Sequence, residues 1–345
     1  MTNLRKIAIC SQKGGVGKTT LSVNLAYNFA CMSKSTLLVD LSPQADTTTH
    51  LGIQNKKCKG SIYNLLMEKL DDPSEVIVPT HIRNLSLIPS DREAMPGIEL
   101  ALANTVGRET ALSKKIKSIE KKYDFIIFDC PPGVDLLTIN ALMASTEWIL
   151  PVQVHYLALN GIDQLLMIVL SLEETLDHPI RLTGVLCTLF DQRTRLSREM
   201  EREIQRIFGN LVLDNTIFYH TSIGESPTFG MAIGEYEPGK KADKNFKDLS
   251  FEIIGKNISN KTDTMELLKN NRSNKGIKKK DNPEKQEIQK AGKQLWKKLR
   301  VAMKKPDSSK NKLMLNSPSN MNGDQEQGTI KRTPLTCEEA DELWK

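Results

Sequence analysis

The chain has 345 residues, of which 39% are hydrophobic, so it is long enough for one large α/β domain or two smaller ones. No stretch approaches the roughly 18 consecutive apolar residues of a membrane-spanning helix, and the first residues lack the apolar core of a secretion signal, so we expect a cytoplasmic protein. The net charge of +6 is unevenly spread: residues 256–345 contain 21 Lys and Arg against 12 Asp and Glu, a surplus of +9 that leaves −3 for residues 1–255.

Short apolar runs alternate with longer helical patterns through residues 6–255, which indicates a parallel sheet built from βαβ units. The runs are rich in Ile, Val and Leu with little polar alternation, as in strands covered on both faces. The predicted strands are 6–10, 36–40, 85–89, 125–129, 148–154 and 182–189. The predicted helices are 19–32, 62–70, 98–121, 135–144, 161–176, 195–208 and 242–254. We therefore predict a doubly wound, mostly parallel α/β sheet with helices on both faces, in one domain at residues 1–255.

The remaining residues, 256–345, form a basic tail in which this pattern is lost. Segments 256–282 and 305–333 are rich in Asn, Ser and Lys, a composition typical of disordered chain. Residues 286–303 place apolar side chains on one helical face and lysines elsewhere, which predicts a basic amphipathic helix. Residues 336–343 begin with the capping-box pair Thr336 and Glu339, which predicts a short helix.

A glycine-rich segment follows the first predicted strand and precedes the first predicted helix. It reads Lys13-Gly14-Gly15-Val16-Gly17-Lys18-Thr19-Thr20. Glycines let backbone N–H groups close around phosphate oxygens, and the helix N-terminus favours their negative charge. Lys18 can reach the β- and γ-phosphates, and the Thr19 hydroxyl can hold Mg²⁺. The segment predicts a nucleotide site, although the first glycine of a standard P-loop is replaced by Gln12 and a second lysine, Lys13, stands beside it.

Two carboxylates end neighbouring apolar runs, Asp40 after 37–39 and Asp129 after 125–128. The carboxyl ends of strands are where open α/β sheets bind ligands. We expect Asp129 to hold Mg²⁺ through water, together with Thr19, as a Walker-B aspartate does.

The segments KGGVGKTT, LLVDLSPQAD, FIIFDCPPG and ESPTFG, in this order and spacing over residues 4–255, resemble the ParA/Soj branch of the deviant Walker ATPases. The resemblance implies ATP and Mg²⁺ as cofactors, residues 13–20 as the nucleotide loop, and Lys13, Lys18 and Asp40 as catalytic residues. Lys13 would be the signature lysine that crosses a homodimer interface to the partner subunit's phosphates. The family further implies a nucleoid-associated ATPase that binds DNA nonspecifically for plasmid or chromosome partition, with hydrolysis stimulated by a ParB-like centromere-binding protein.

The chain departs from the family pattern at two places. The family's second motif is Asp-x-Asp-Pro-Gln, in which the second Asp orients the attacking water, whereas this chain has Ser42 there. Because a serine cannot act as an anionic base, hydrolysis should be slow or depend on another group. The family's basic segment before Glu-x-Pro-Ser is replaced by residues 217–222, which contain no Lys or Arg. By the resemblance, Phe218 and His220 should line the base pocket.

The six cysteines form no C-x-x-C pair and no zinc-like spacing, so we expect buried, reduced thiols. An iron protein of the nitrogenase type shares the P-loop, but it needs two cluster cysteines and Cys130 has no evident companion in the sequence.

Nonspecific DNA binding needs lysines and arginines that contact phosphates. The candidates on the domain are Arg193, Arg195, Arg198 and Arg202, the last three on one face of a predicted helix. The alternative is a solvated face, in which these arginines alternate with Glu199, Glu201 and Glu203. A second basic cluster lies at residues 240–247.

The tail can serve DNA binding, a partner protein, an anionic membrane or none of these, and we expect membrane binding least. Two rival functions stay open. One is a MinD-like membrane-positioning ATPase, and the other is a nucleotide-binding regulator that does not hydrolyse ATP.

Overall fold

The computed structural model describes residues 4–54, 58–67, 70, 72–155 and 161–256. Within them one sheet contains the strands β1 (Arg5–Ile9), β2 (Thr36–Asp40), β3 (Val78–Pro79), β4 (Leu85–Ile88), β5 (Phe125–Asp129), β6 (Glu147–Gln153) and β7 (Arg181–Thr188). The strand order is β3-β4-β2-β5-β1-β6-β7. The short edge strand β3 is antiparallel to β4, and every other pairing is parallel.

The helices of the described residues connect these strands and lie on both faces of the sheet. They are α1 (Lys18–Cys31), α2 (Asp46–His50), α3 (Ile62–Met67), α4 (Ile98–Ala103), α5 (Ala111–Ile116), α6 (Leu136–Ala144), α7 (Ile162–Leu176), α8 (Arg195–Phe208), α9 (Thr221–Glu225) and α10 (Lys240–Gly255).

Successive residues of the central strands enter two separate cores, because side chains alternate across a strand. In β1, Ile7 and Ile9 pack into the core under α1 and α10. Ala8 and the following Cys10 pack into the opposite core, which α3 to α8 cover. With both faces buried, the strands need apolar residues at every position, which is why they read as continuous apolar runs.

The parallel register aligns the carboxyl ends of the three central strands. Asp129 at the end of β5 lies beside Ile9 of β1 on one side and beside Asp40 of β2 on the other. The loop that leaves β1 into α1 therefore starts next to both aspartates, and this edge of the sheet carries the candidate site.

The predicted fold class is confirmed, and each predicted strand has its counterpart within two residues. Three short elements were not predicted: β3, α2 and α9. The predicted helix at 98–121 is wrong as a single helix, because α4 ends at Ala103 and α5 begins at Ala111, with Gly107 at φ 70° between them. A helix does not continue through such left-handed backbone, which glycine adopts at little cost.

The last described helix, α10, ends at Gly255, where the predicted domain ends. The predicted tail from residue 257 onward, including the amphipathic helix at 286–303 and the short helix at 336–343, lies outside the described residues, and the boundary stays a prediction. Among the described helices, none combines the length and the apolar character that crossing a membrane requires.

Candidate nucleotide site

The loop between β1 and α1 has the backbone of a phosphate cradle. Gly15 and Gly17 adopt φ of 72° and 87°, a left-handed conformation that favours glycine over residues with a side chain. A Cβ built at either position would meet no atom within 4 Å, so open space lies over both. The glycines are therefore required by backbone conformation, and the space beside them is available to a ligand.

Lys18 opens α1 and is only 7% exposed. Its Nζ donates to the carbonyl oxygen of Lys13 at 3.3 Å, and no described carboxylate lies within ion-pair distance of it. Burial lowers the pKa of Lys18, and the negative charge of Asp129 opposes this effect. A buried ammonium group without an acidic contact is costly by itself, so this position suits an anionic ligand.

Asp129 is fully buried and accepts hydrogen bonds from three hydroxyls. Its Oδ2 accepts from Thr19 at 2.8 Å and Thr47 at 2.6 Å, and its Oδ1 accepts from Ser22 at 2.9 Å. Burial raises the pKa of Asp129, while these hydroxyls and the charge of Lys18 lower it. The predicted metal residues Thr19 and Asp129 thus lie in direct contact. Their hydroxyl and carboxylate oxygens are ligands, direct or through water, that suit Mg²⁺.

The contacts from Ser22 and Thr47 were not predicted. Ser22 lies three residues after Thr19 on the same helix, so helical spacing places both hydroxyls on one face, and this signal could have identified it. Thr47 belongs to α2, which has no apolar periodicity in the sequence.

Asp40 is fully buried beside Asp129 and holds the turn that follows β2. Its Oδ1 accepts from the Ser42 N–H at 2.9 Å, and its Oδ2 accepts from the N–H and hydroxyl of Thr48 at 2.9 and 2.7 Å. Burial, followed by the charge of Asp129, raises the pKa of Asp40 to about 7, against the effect of these hydrogen bonds. The structure gives Asp40 a role in positioning residues 41–48, and its catalytic role stays a prediction.

Ser42 is also buried, and its hydroxyl forms hydrogen bonds within the same turn. The Oγ accepts from the Gln44 N–H and donates to Asp46 Oδ2, each at 3.2 Å. The carbonyl oxygen of Ser42 accepts from the Ser90 hydroxyl at 2.6 Å. Ser42 therefore supports the turn, while Asp46 on the first turn of α2 is exposed.

Lys13 and Gln12 tie the loop to the neighbouring strand and helix. Lys13 Nζ donates to Gln153 Oε1 at the end of β6, at 3.2 Å. The Gln12 amide bonds to Gln164 of α7 and occupies the space that a side chain at Gly161 would need. In the single subunit, Lys13 thus contacts its own chain, and its role across a dimer interface stays a prediction.

The expectation that Cys130 has no companion is wrong, because Cys10 Sγ lies 3.1 Å from Cys130 Sγ. The parallel register of β1 and β5 explains this contact, since the two cysteines directly follow Ile9 and Asp129. Both thiols are buried in one subunit, and the described residues contain no cluster of three metal-ligating side chains. The expectation of buried thiols holds for Cys10, Cys130 and Cys187 and is wrong for Cys31, which is exposed.

The predicted arginines lie on and just before α8, far along the chain from the loop. Arg193 pairs with Asp191 and Arg195 with Glu199, and Arg198 donates to the carbonyl oxygen of Gln192. Arg198 and Arg202 are exposed without a carboxylate in ion-pair distance in the described chain. Helix α8 has the predicted bounds, and its opposite face buries Met200, Ile204 and Ile207, among others.

The two residues expected at the base pocket lie in the segment before α9. The ring of Phe218 packs edge-on against Phe190, with centroids 5.7 Å apart, and His220 is the residue immediately before α9. Their contact with a base stays a prediction.

Known proteins are similar to this chain in sequence and in fold. A family model described as "AAA domain" matches residues 4–182. The sporulation initiation inhibitor protein Soj of Bacillus subtilis is 38% identical over 247 residues, which are 72% of this chain and 97% of Soj. The chromosome partitioning protein ParA of Myxococcus xanthus is 35% identical over 251 residues, 72% of this chain and 88% of that protein.

Two solved structures illustrate the shared fold. Cobyrinic acid a,c-diamide synthase of Mycobacterium smegmatis, with bound ATP analogue and magnesium, is 30% identical with a TM-score of 0.59, and the match covers 70% of this chain and 98% of that one. A variant of McdA from Cyanothece, in complex with ATP, is 21% identical with a TM-score of 0.67, over 75% of this chain and 100% of that one, and it supports the fold alone. Given the glycine loop with Lys13 and Lys18 and the extent of these matches, the chain belongs to the ParA/Soj family of P-loop ATPases.

Proposed function

We propose that this protein is an ATP-dependent dimerisation switch that acts in DNA partition. The observation that carries the proposal is the pairing of a buried, unneutralised Lys18 with an open glycine loop, next to the Thr19–Asp129 contact. A cation, a row of backbone N–H groups and a magnesium position are the three parts of a nucleoside triphosphate site. Relatives named as chromosome partitioning proteins support the biological role.

ATP and Mg²⁺ fit the residues present at this edge of the sheet. The backbone of residues 13–20 and the Lys18 ammonium group would hold the phosphates. Thr19 and Asp129 would hold the magnesium ion, which reduces the charge repulsion on the transferred phosphoryl group. The hydroxyls of Ser22 and Thr47 would fix the orientation of the Asp129 carboxylate.

Lys13 is the proposed link between nucleotide and dimer. In the single subunit its ammonium group donates to a neutral amide oxygen of Gln153 at 3.2 Å, and a hydrogen bond with one charged partner contributes about 1.5–3 kcal/mol net. A partner subunit's γ-phosphate is a stronger, charged acceptor. Lys13 can therefore leave Gln153 for the partner's nucleotide, which makes the homodimer depend on the γ-phosphate.

The DNA-binding surface that we propose is the α8 face with Arg193, Arg195, Arg198 and Arg202. Arg193 and Arg195 are 82% and 71% exposed in their ion pairs, and pairs this exposed are weak because water and salt screen them. They can exchange a carboxylate for a DNA phosphate. Arg198 and Arg202 are exposed and have no carboxylate partner among the described residues, so both can contact phosphates. Such contacts are independent of sequence, as coating of a nucleoid requires.

We further propose that intrinsic hydrolysis is slow and that a ParB-like partner stimulates it. The support is local: the Ser42 hydroxyl is buried in its turn and the Asp40 carboxylate has no exposed surface. Neither side chain presents a charged base to water, so hydrolysis has to depend on a carboxylate outside the family's usual position. A slow cycle keeps the ATP dimer on DNA until a partner triggers release.

The proposal is tested by DNA binding of the full-length protein with Mg·ATP and with Mg·ADP, at several salt concentrations. We expect tight, sequence-independent binding with ATP only. The double variant Arg198→Ala/Arg202→Ala should bind more weakly and lose about 2 from the salt slope, since each phosphate contact contributes about 1. Arg83→Ala, which removes an exposed arginine in the β3–β4 turn, is the matched control and should bind as wild type.

Vesicles containing phosphatidylglycerol form a second arm of the same experiment. ATP-dependent binding to vesicles and not to DNA would contradict the proposal and favour a membrane-positioning ATPase. An α8 double variant with wild-type DNA affinity would show that the contact surface lies elsewhere.

A further inference from the structure

The carboxylates around the nucleotide loop differ in whether they can serve a water molecule. A general base must reach the water that it deprotonates and must have a free oxygen to receive the proton. Asp40 and Asp129 are both 0% exposed, and both oxygens of each accept hydrogen bonds from the protein. Neither meets the requirement.

Asp135, in the loop after β5, is the next carboxylate near the site. It is the residue before α6, and its Oδ1 accepts from the Thr138 N–H at 2.8 Å. Its side chain also shares a hydrogen bond with Glu99. Asp135 therefore caps α6 and links that helix to α4.

Asp46 differs from Asp40, Asp129 and Asp135, because it is exposed and one of its carboxylate oxygens accepts no hydrogen bond from the described residues. Its Oδ2 accepts from the Ser42 hydroxyl at 3.2 Å, while its Oδ1 has no hydrogen-bond partner among the described residues. The next residue along the chain, Thr47, donates to the same oxygen of Asp129 as Thr19 does. Asp46 therefore lies beside a residue that contacts the proposed magnesium position.

The surroundings of Asp46 also fix its position relative to the proposed magnesium residues. The next residue, Thr47, donates to Asp129 at 2.6 Å, and Thr48 donates to Asp40 at 2.7 Å. Two consecutive side chains therefore attach the first turn of α2 to the ends of β5 and β2. The exposed carboxylate of Asp46 therefore lies on a short helix whose next two residues bond Asp129 and Asp40.

We infer that Asp46 is the carboxylate that orients and deprotonates the attacking water, in place of the acidic side chain that position 42 lacks. The inference rests on the proposed ATPase function and deepens it. In the step, the water oxygen bonds to the γ-phosphorus as the bond from that phosphorus to the bridging oxygen breaks. The electron pair of the broken bond stays on ADP, and the proton of water passes to Asp46 Oδ1 and then to bulk water.

Ser42 becomes a positioning residue in this arrangement. Its hydroxyl donates to one oxygen of the exposed Asp46 and leaves the other without a partner among the described residues. A hydroxyl at position 42 and a carboxylate at position 46 form a hydrogen-bonded pair. The negative charge can therefore be moved from one partner to the other by exchanging the two side-chain types, and this exchange provides the test.

The experiment measures single-turnover hydrolysis of Mg·ATP by full-length protein in excess, with ATP affinity measured in parallel. Asp46→Asn should hydrolyse ATP at least about 100-fold more slowly than wild type, as loss of general-base assistance implies, with ATP affinity within about threefold of wild type. Asp248→Asn, which changes a partly exposed aspartate on α10 that pairs with Lys244, is the matched control and should equal wild type. The double variant Ser42→Asp/Asp46→Asn should recover at least tenfold over Asp46→Asn. The double variant is preferred to Ser42→Asp alone, because two adjacent carboxylates would raise each other's pKa.

The outcomes separate this inference from the proposed function. Wild-type hydrolysis by Asp46→Asn at unchanged ATP affinity overturns the assignment and leaves the ATPase intact. Loss of activity in Asp46→Asn without recovery in the double variant also overturns it, since Asp46 would then act only by supporting the turn. A wild-type protein that binds no ATP would instead refute the proposed function.

Discussion

The amino edge of the sheet, where the parallel strands begin, and the carboxyl edge, where they end, bury charged side chains in opposite ways. At the amino edge, Arg5 at the start of β1 bonds Glu147 at the start of β6 through two nitrogens, at 2.6 and 2.7 Å, and also bonds the carbonyl oxygen of Ile253 in α10. At the carboxyl edge, Asp40 and Asp129 lie side by side, and Lys18 has no carboxylate within ion-pair distance in the described chain. At the amino edge the buried charges form an ion pair. At the carboxyl edge Lys18, Asp40 and Asp129 form no ion pair among the described residues.

This difference distinguishes a structural cluster from a ligand site. A paired buried charge needs nothing more from its surroundings, although breaking the pair is costly. Unpaired buried charges are costly unless a ligand neutralises them. The carboxyl edge therefore gives up stability in the free protein that a bound Mg²⁺–nucleotide restores. Three substitutions separate the two edges, described from the largest expected effect to the smallest.

The largest effect is expected from Arg5→Met, which leaves Glu147 buried without its cation. We expect a loss of about 3–5 kcal/mol in the free energy of unfolding, with ATP affinity of the folded protein unchanged. Chemical denaturation measures the first quantity and nucleotide titration the second. The double variant Arg5→Met/Glu147→Leu should recover most of the loss. A single variant as stable as wild type would contradict the structural role of the pair.

Lys18→Met should weaken ATP binding without lowering stability, because it removes an unpaired buried cation that would bind the phosphates. ATP affinity should fall by about 2–4 kcal/mol, at least roughly 30-fold. The free energy of unfolding without nucleotide should stay the same or rise, because a desolvated charge is gone. Calorimetric titration and denaturation provide the two readouts. A strong loss of stability in the absence of nucleotide would show that Lys18 is structural, as Arg5 is.

A smaller effect concerns pH and His50, which is buried in α2 with its pKa lowered by burial to about 4. Between pH 6.5 and 4 the unfolded chain binds a proton that folded His50 does not, so His50 lowers the stability as pH falls, by up to about 1.4 kcal/mol for each pH unit. Asp40, with a raised pKa of about 7, acts in the opposite direction, because its folded form holds a proton that the unfolded form has released.

Comparing wild type with His50→Gln isolates the histidine, because Asp40 contributes equally to both proteins. The stability of wild type relative to the variant should fall by about 1 kcal/mol between pH 6.5 and 5.5, because unfolded histidine is only half protonated at pH 6.5. Denaturant unfolding at pH 7, 6.5, 6 and 5.5 measures this difference. A difference that stays constant over that range would show that His50 takes up its proton in the folded protein as well.

The sequence predicted the parts of this edge that have local signals. The loop at 13–20 has a glycine pattern between a strand and a helix, and Asp40 and Asp129 each end an apolar run. Parallel strands bring their carboxyl ends together, so these residues were expected to meet, and the structure places Asp40 beside Asp129.

The remaining contacts depend on tertiary structure. Helix α2 consists of Asp46, three threonines and His50, a sequence without apolar periodicity, and it is held by hydrogen bonds from Thr47 and Thr48 to the two aspartates. Strand β3 has only two residues, one of them Pro79. Replacement of the second motif's acidic residue by Ser42 was visible in the sequence. Its hydrogen bond to Asp46 was not, because it depends on the path of the turn.

The central claim, a dimer controlled by the γ-phosphate through Lys13, is tested most directly by measuring molar mass by light scattering. Wild type should be monomeric without nucleotide or with Mg·ADP, and dimeric with Mg·ATP. Lys13→Ala should bind ATP and remain monomeric, since Lys13 is free to leave Gln153 for the partner's nucleotide. Wild type that is saturated with ATP and still monomeric would contradict the account, as would a Lys13→Ala variant that dimerises normally.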